Sequence, residues 1–335
     1  MTYLHPLHRA LGLALGGVIL AACAGSPPPD NAEPTAPPAP TSATSPPASA
    51  AQTPTGAPAT LATPTTSPTA SASPAAGKPC GELDCRLFDS PEAAFAFVLA
   101  ERPRVIGVGE AHAQKGMEGI DSATKRFTER FLPLLQGRTT DLIVELMLPP
   151  KGCAKAEQEV RTQQKEVTKQ QASTNQNEYV VLGDAARRAG IVPDALRPTC
   201  QDLDAAAKAG DQAVPVMLET IARLSRAKAS ELLARNEKSA LDKDKVVVLY
   251  GGALHNDLTP KPGREAWSFG PDLARATGGR YVELDVFVPE SIQDTDSWRA
   301  FAWYSRYDPA AHGGSTVLFR TAPSTFALIF PRSAR

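Results

Sequence analysis

Val105-Ile-Gly-Val-Gly-Glu-Ala-His112 decides the fold. An apolar run ends in glycine, and a carboxylate and an imidazole follow at once. Val and Ile on both faces predict a strand over Val105–Val108 that is buried on both sides, as in parallel sheets. Such a strand delivers Glu110 and His112 at its carboxyl end, where open α/β sheets bind ligands. The pattern recurs at Val246-Val-Val-Leu-Tyr-Gly-Gly-Ala-Leu-His255. A third run, Asp141-Leu-Ile-Val-Glu145, ends on another carboxylate. The chain has five histidines. His5 and His8 lie in a segment expected to be removed, so two of the other three follow strand–glycine junctions.

Around these strands the periodicity predicts a parallel α/β sheet flanked by helices. Asp89-Ser-Pro-Glu92 opens a helix with a cap, a first-turn proline and an acid. Ala123, Phe127, Phe131, Leu134 and Leu135 share one face of a helix over about 120–135. With a strand at Leu142–Leu146 this forms a right-handed βαβ unit. Residues 154–178 are rich in Lys, Glu, Gln and Thr and predict a polar helical excursion. Further helices are expected near 180–189 and 213–240, with a short strand before Cys200. Tyr281–Val288 reads as a strand, and 317–330 as a C-terminal β-hairpin turning at Ala322-Pro-Ser324.

The N-terminus carries a different message. Residues 1–22 read as a signal peptide, whose apolar run Ala10–Ala22 is short for a transmembrane helix. It ends Leu20-Ala-Ala-Cys23, which resembles the bacterial lipobox and implies lipidation of Cys23 and a membrane partner through that anchor. Ala24 after the cysteine favours the outer membrane, facing the periplasm. Residues 23–79 form a linker holding 15 of the 31 prolines, with too little apolar surface to offset the entropy of ordering. Its maximum reach is about 170 Å in polyproline form. Residues 80–335 are then one α/β domain.

A net charge of −1 gives no case for nucleic acid as a partner. The exported domain keeps Cys80, Cys85, Cys153 and Cys200, which allow three disulfide pairings. Cys80–Cys85 with Cys153–Cys200 is the simplest. A zinc-thiolate site is the rival, without a second close cysteine pair to complete it. No Gly-x-Ser-x-Gly elbow, dinucleotide fingerprint or Walker loop is present. Tyr250 reads as core, and Trp267, Trp298 and Trp303 as core or groove. His312 sits in a glycine-rich loop that could reach the site.

Glu110, His112, Glu145 and His255 offer two carboxylates and two imidazoles. Such a set can hold a divalent metal with an open position, or act as general base and acid without one. Gly109-Glu-Ala-His112, Glu145 and Gly252-Ala-Leu-His255 resemble the ChaN/Tiki-like superfamily, which includes haem-binding uptake lipoproteins, Tiki metalloproteases and erythromycin esterases. The Gly-Glu-x-His form is most similar to the ChaN branch. The resemblance covers about residues 85–290 and implies that these four residues form the site. Ala113-Gln-Lys-Gly116 replaces the acidic residues and further histidine of that branch, which favours hydrolysis over haem capture. The expectation is a metal-dependent hydrolase of an amide or ester, with His112, Glu145 and His255 on the metal and Glu110 as base or ligand. Its substrate would be a small molecule or peptide. The alternative is a haem- or iron-binding lipoprotein, with His112 and His255 facing the haem.

Overall fold

The computed structural model describes residues 76–333. The stretch read as a signal peptide, Cys23 and nearly all of the stretch read as a linker lie outside them. Among the described residues, no helix is long and apolar enough to cross a membrane.

Nine strands form one sheet in the order β1-β2-β8-β9-β7-β3-β6-β4-β5. They are β1 (Lys78–Gly81), β2 (Cys85–Phe88), β3 (Val105–Glu110), β4 (Thr139–Met147), β5 (Val192–Leu196), β6 (Val246–Gly252), β7 (Tyr281–Phe287), β8 (Thr316–Ala322) and β9 (Thr325–Ile329). β9, β7, β3, β6, β4 and β5 run parallel; β1, β2 and β8 extend that edge antiparallel. The mainly parallel sheet and the C-terminal hairpin are as expected. The N-terminal hairpin β1–β2 is an addition, and it begins at Lys78, inside the stretch read as linker. Alternation was obscured there by its length, four residues per strand. The Cys80–Cys85 disulfide closes it, and Cys153–Cys200 is also formed.

β3 has no exposed residue, as its Val/Ile composition required. Ile106 and Val108 join Val248 and Tyr250 beneath helices α1 (Pro91–Leu99), α2 (Ala123–Arg126), α3 (Leu132–Leu135) and α5 (Asn175–Arg188), through Phe95, Phe127, Phe131, Leu135, Tyr179 and Leu182. On the other face Val105, Val247, Leu249 and Ile143 pack with Leu203, Met217, Ile221 and Leu273 from α6 (Cys200–Lys208), α7 (Ala213–Glu237) and α8 (Gly270–Ala276). The chain therefore leaves β3 toward one face and β6 toward the other. A crevice opens at the carboxyl ends of two such neighbouring strands.

Two helical expectations change in detail. The helix over 120–135 is interrupted by a π turn at Phe127–Phe131. Pro133 has no N–H for the ordinary i→i−4 bond and its ring crowds the preceding turn; just before it, Leu132 N–H donates to Phe127 O instead. The polar excursion is α4 (Ala154–Thr168), whose buried Ala156, Val160 and Gln164 make a narrow stripe at i, i+4, i+8 against α6. Its return pairs with the segment after His112: Lys115 N–H donates to Gln170 O (2.8 Å) and Ala172 N–H to Ala113 O (2.8 Å).

Candidate functional site

All four predicted side chains gather at the carboxyl ends of β3, β4 and β6, and all are buried at 3–4% exposure. They form two imidazole–carboxylate pairs. In the first, His112 Nδ1 lies 3.0 Å from Glu110 Oε1. Glu110 also accepts from Tyr179 OH (2.9 Å), Thr124 Oγ1 (3.0 Å) and Tyr250 OH (3.2 Å). Burial beside Glu110 pushes both phenols well above the ordinary tyrosine range, so they stay protonated donors. A carboxylate with these donors is committed to holding the imidazole. It fixes Nδ1 as the protonated nitrogen and leaves Nε2 as the basic one.

In the second pair, His255 Nδ1 is 2.7 Å from Trp267 O. A carbonyl only accepts, so Nδ1 carries hydrogen and Nε2 faces Glu145 Oε1 at 3.6 Å. Glu145 Oε2 accepts from Gly252 N–H (2.6 Å). Two glycines make room for this. A Cβ on Gly251 would stand 2.3 Å from Glu145 Oε2, so Glu145 rests directly on the bare backbone. A Cβ on Gly252 would stand 3.5 Å from His112 Nε2 and 3.6 Å from Glu145 Oε2. The two pairs thus converge over Gly252.

Glu110 is held by hydroxyl and imidazole donors, and each Nδ1 is engaged, as in histidines that ligate a metal through Nε2. Among the described residues, no three His, Cys, Asp or Glu side chains are arranged to hold a metal ion. The cavity at Glu145, Gly252 and His255 measures about 10 Å³. That is room for about one water. His312 closes a local turn, its Nδ1 accepting from Asp308 N–H (3.2 Å). Trp303 packs in an aromatic cluster with Trp298, whereas Trp267 contributes its carbonyl to His255. Tyr250 is both core and hydrogen-bond donor.

Sequence reading missed Thr124 and Tyr179, which reach Glu110 from distant helices and leave no local signal. It also missed Asn256, which follows His255 and pins its loop by donating to Gly107 O (3.1 Å) and Asp285 Oδ1 (3.0 Å). Asp285 and Glu283 did leave a signal: two acids at i, i+2 in an otherwise apolar strand. Burial pushes Glu283 up to about 7 and Asp257 up to about 6; burial beside those carboxylates holds Asp285 well above the usual range. The folded state therefore binds protons that the unfolded chain has released above about pH 4.5. Stability should fall as pH rises from about 4.5 through 7, by on the order of 3 kcal/mol for Glu283. Denaturant unfolding of wild type and Glu283→Gln at pH 5 and 8 checks this. The variant should lose less stability over the interval; equal losses would refute the assignment.

No protein-family model matches the chain, and no curated protein matches it. Among solved structures it is similar to a Bacillus cereus protein, at 10% identity over 69% of this chain and 89% of that one, with a TM-score of 0.33. It is also similar to an erythromycin esterase mutant in its open conformation, at 10% identity over 70% and 92% of the two chains, with a TM-score of 0.36. Erythromycin esterases are among the proteins its motifs resemble, but likeness at these scores carries no functional argument.

Proposed function

We propose that this chain is a hydrolase of an ester or amide, with His112 as general base and His255 as its acidic partner. The convergence of two oriented imidazole–carboxylate pairs over Gly252 carries the reading. Glu110 holds His112 in the tautomer that exposes a basic Nε2, as the buried aspartate does in a serine-protease triad. A water between His112 Nε2 and Glu145 gives its proton to Nε2 while its oxygen adds to the substrate carbonyl. A proton shared between His255 Nε2 and Glu145 then passes to the departing oxygen or nitrogen. Burial of all four side chains at 3–4% exposure means that a substrate enters only when a covering segment moves.

The test is turnover of p-nitrophenyl acetate and a fluorogenic peptide amide by purified protein, alone, with EDTA and with added zinc. Hydrolysis of at least one substrate is expected. His112→Ala and His255→Ala should each reduce it by about 100-fold or more, the usual range for a positioned acid or base, with thermal unfolding near wild type. Absence of turnover, or full turnover in both variants, would overturn the reading. Loss of activity in EDTA with recovery in zinc would restore the metal-dependent form expected from the sequence. A Soret band on haem titration would favour the haem-binding alternative.

The reading includes export and anchoring of the mature chain in the bacterial cell envelope through Cys23. Leu20-Ala-Ala-Cys23 supports it. Cys23→Ser should abolish labelling by a fatty-acid analogue and release the protein from the membrane fraction; labelling that persists would refute the anchor.

A further inference from the structure

Helix α7 lays one row of side chains on the sheet: Met217, Ile221, Ser225, Ala229 and Leu233, four residues apart and all buried. The other four belong to the apolar core on that face. Ser225 is the polar member, at 4% exposure. A hydroxyl in such a row costs free energy unless it meets a partner. A buried helical hydroxyl ordinarily returns to the carbonyl one turn back. Thr220 does so, its Oγ1 donating to Val216 O (2.8 Å). Ser225 makes no such bond to Ile221 O.

Ser225 instead lines the small cavity beside Glu145 and His255. Ile221, Leu249 and Phe269 form its apolar wall, and Asn256, also at the wall, is engaged with Gly107 O and Asp285 Oδ1. The volume of about 10 Å³ takes about one water, and a water so enclosed needs roughly two to four polar partners. Ser225, Glu145 and His255 supply them. His255 Nε2 and Glu145 Oε1 stand 3.6 Å apart, beyond a direct hydrogen bond, yet a water at their side reaches both.

We infer that Ser225 is a positioning residue of this site: its hydroxyl holds one water against Glu145 Oε1 and His255 Nε2, and so fixes the separation across which that pair shares its proton. The effect on rate rests on the hydrolase reading; the water rests on the cavity alone.

Two measurements separate these. Ser225→Thr and Ser225→Val have nearly the same shape and differ in the hydroxyl. On whichever substrate the wild type hydrolyses, p-nitrophenyl acetate or the peptide amide, Ser225→Thr should keep kcat within about threefold of wild type. Ser225→Val should lower kcat about tenfold or more at unchanged KM, the scale of one lost hydrogen bond. Ser225→Ala adds no bulk and should match Ser225→Val; it decides the matter if the larger side chains disturb packing. Crystal structures of wild type and Ser225→Ala give the second measurement. An ordered water within about 3.2 Å of Ser225 Oγ, Glu145 Oε1 and His255 Nε2 is expected in wild type, and its loss or displacement in the variant. Wild type without turnover would remove the hydrolase reading and leave the crystal structures to decide the water. The proposal is overturned if wild type holds no such water, if Ser225→Ala keeps it in place, or if Ser225→Ala works at wild-type kcat.

Discussion

On the proposed hydrolase reading, Gly252→Ala is expected to lower turnover by about 100-fold or more while leaving the fold intact. The added methyl would meet no atom closer than 3.5 Å, and the Gly252 backbone lies outside the left-handed region, so alanine is tolerated there. Unfolding should stay within about 1 kcal/mol of wild type. The methyl nevertheless occupies the point where His112 Nε2 and Glu145 Oε2 converge. It should displace the attacking water and lower kcat by about 100-fold or more, the scale of a 1 Å misplacement in an active site. Gly251→Ala is the contrasting neighbour. Its methyl would stand 2.3 Å from Glu145 Oε2 and 2.8 Å from Glu145 Cβ, so it should lower stability as well as activity. Measuring kcat and denaturant midpoints for both variants separates the effects. Wild-type turnover by a folded Gly252→Ala would rule out convergence over Gly252 as the reacting position.

The second large effect belongs to the disulfides. Cys153–Cys200 spans 47 residues, and Cys80–Cys85 spans 5. The chain-entropy relation gives about 4 kcal/mol for the longer loop and about 2 kcal/mol for the shorter. The longer loop contains α4, α5 and edge strand β5, so losing it also frees the return segment paired with Ala113 and Lys115. The double variant Cys153→Ala/Cys200→Ala should lose about twice the unfolding free energy of Cys80→Ala/Cys85→Ala. Alanine is preferred to serine because Cys153 is buried in the core and a hydroxyl there would need a partner. Equal losses in denaturant titrations would show that the closed loop does not set the contribution.

Much of this molecule was legible in order along the chain. Apolar runs ending in glycine mark β3 and β6 because a strand covered on both faces needs apolar side chains on both, and Gly109 and Gly251 let Asp285, Asn256 and Glu145 pack against bare backbone. The same runs name Glu110, His112 and His255, since a residue just past a parallel strand stands at the ligand-binding edge. Pairing was not legible. Glu110 meets Tyr179, Thr124 and Tyr250, from 69, 14 and 140 residues away, only after two helices and a neighbouring strand have packed. That packing surrounds Glu110 with three hydroxyl donors and the His112 imidazole. The role of Asn256 and the short β1–β2 hairpin likewise depend on long-range partners. Periodicity reports which face of an element is apolar, whereas hydrogen-bond partners and protonation depend on what other elements bring to that face. The apolar runs locate the sheet and place four polar side chains at its carboxyl edge; how those side chains hold their protons follows from burial and convergence, which no single stretch of chain encodes.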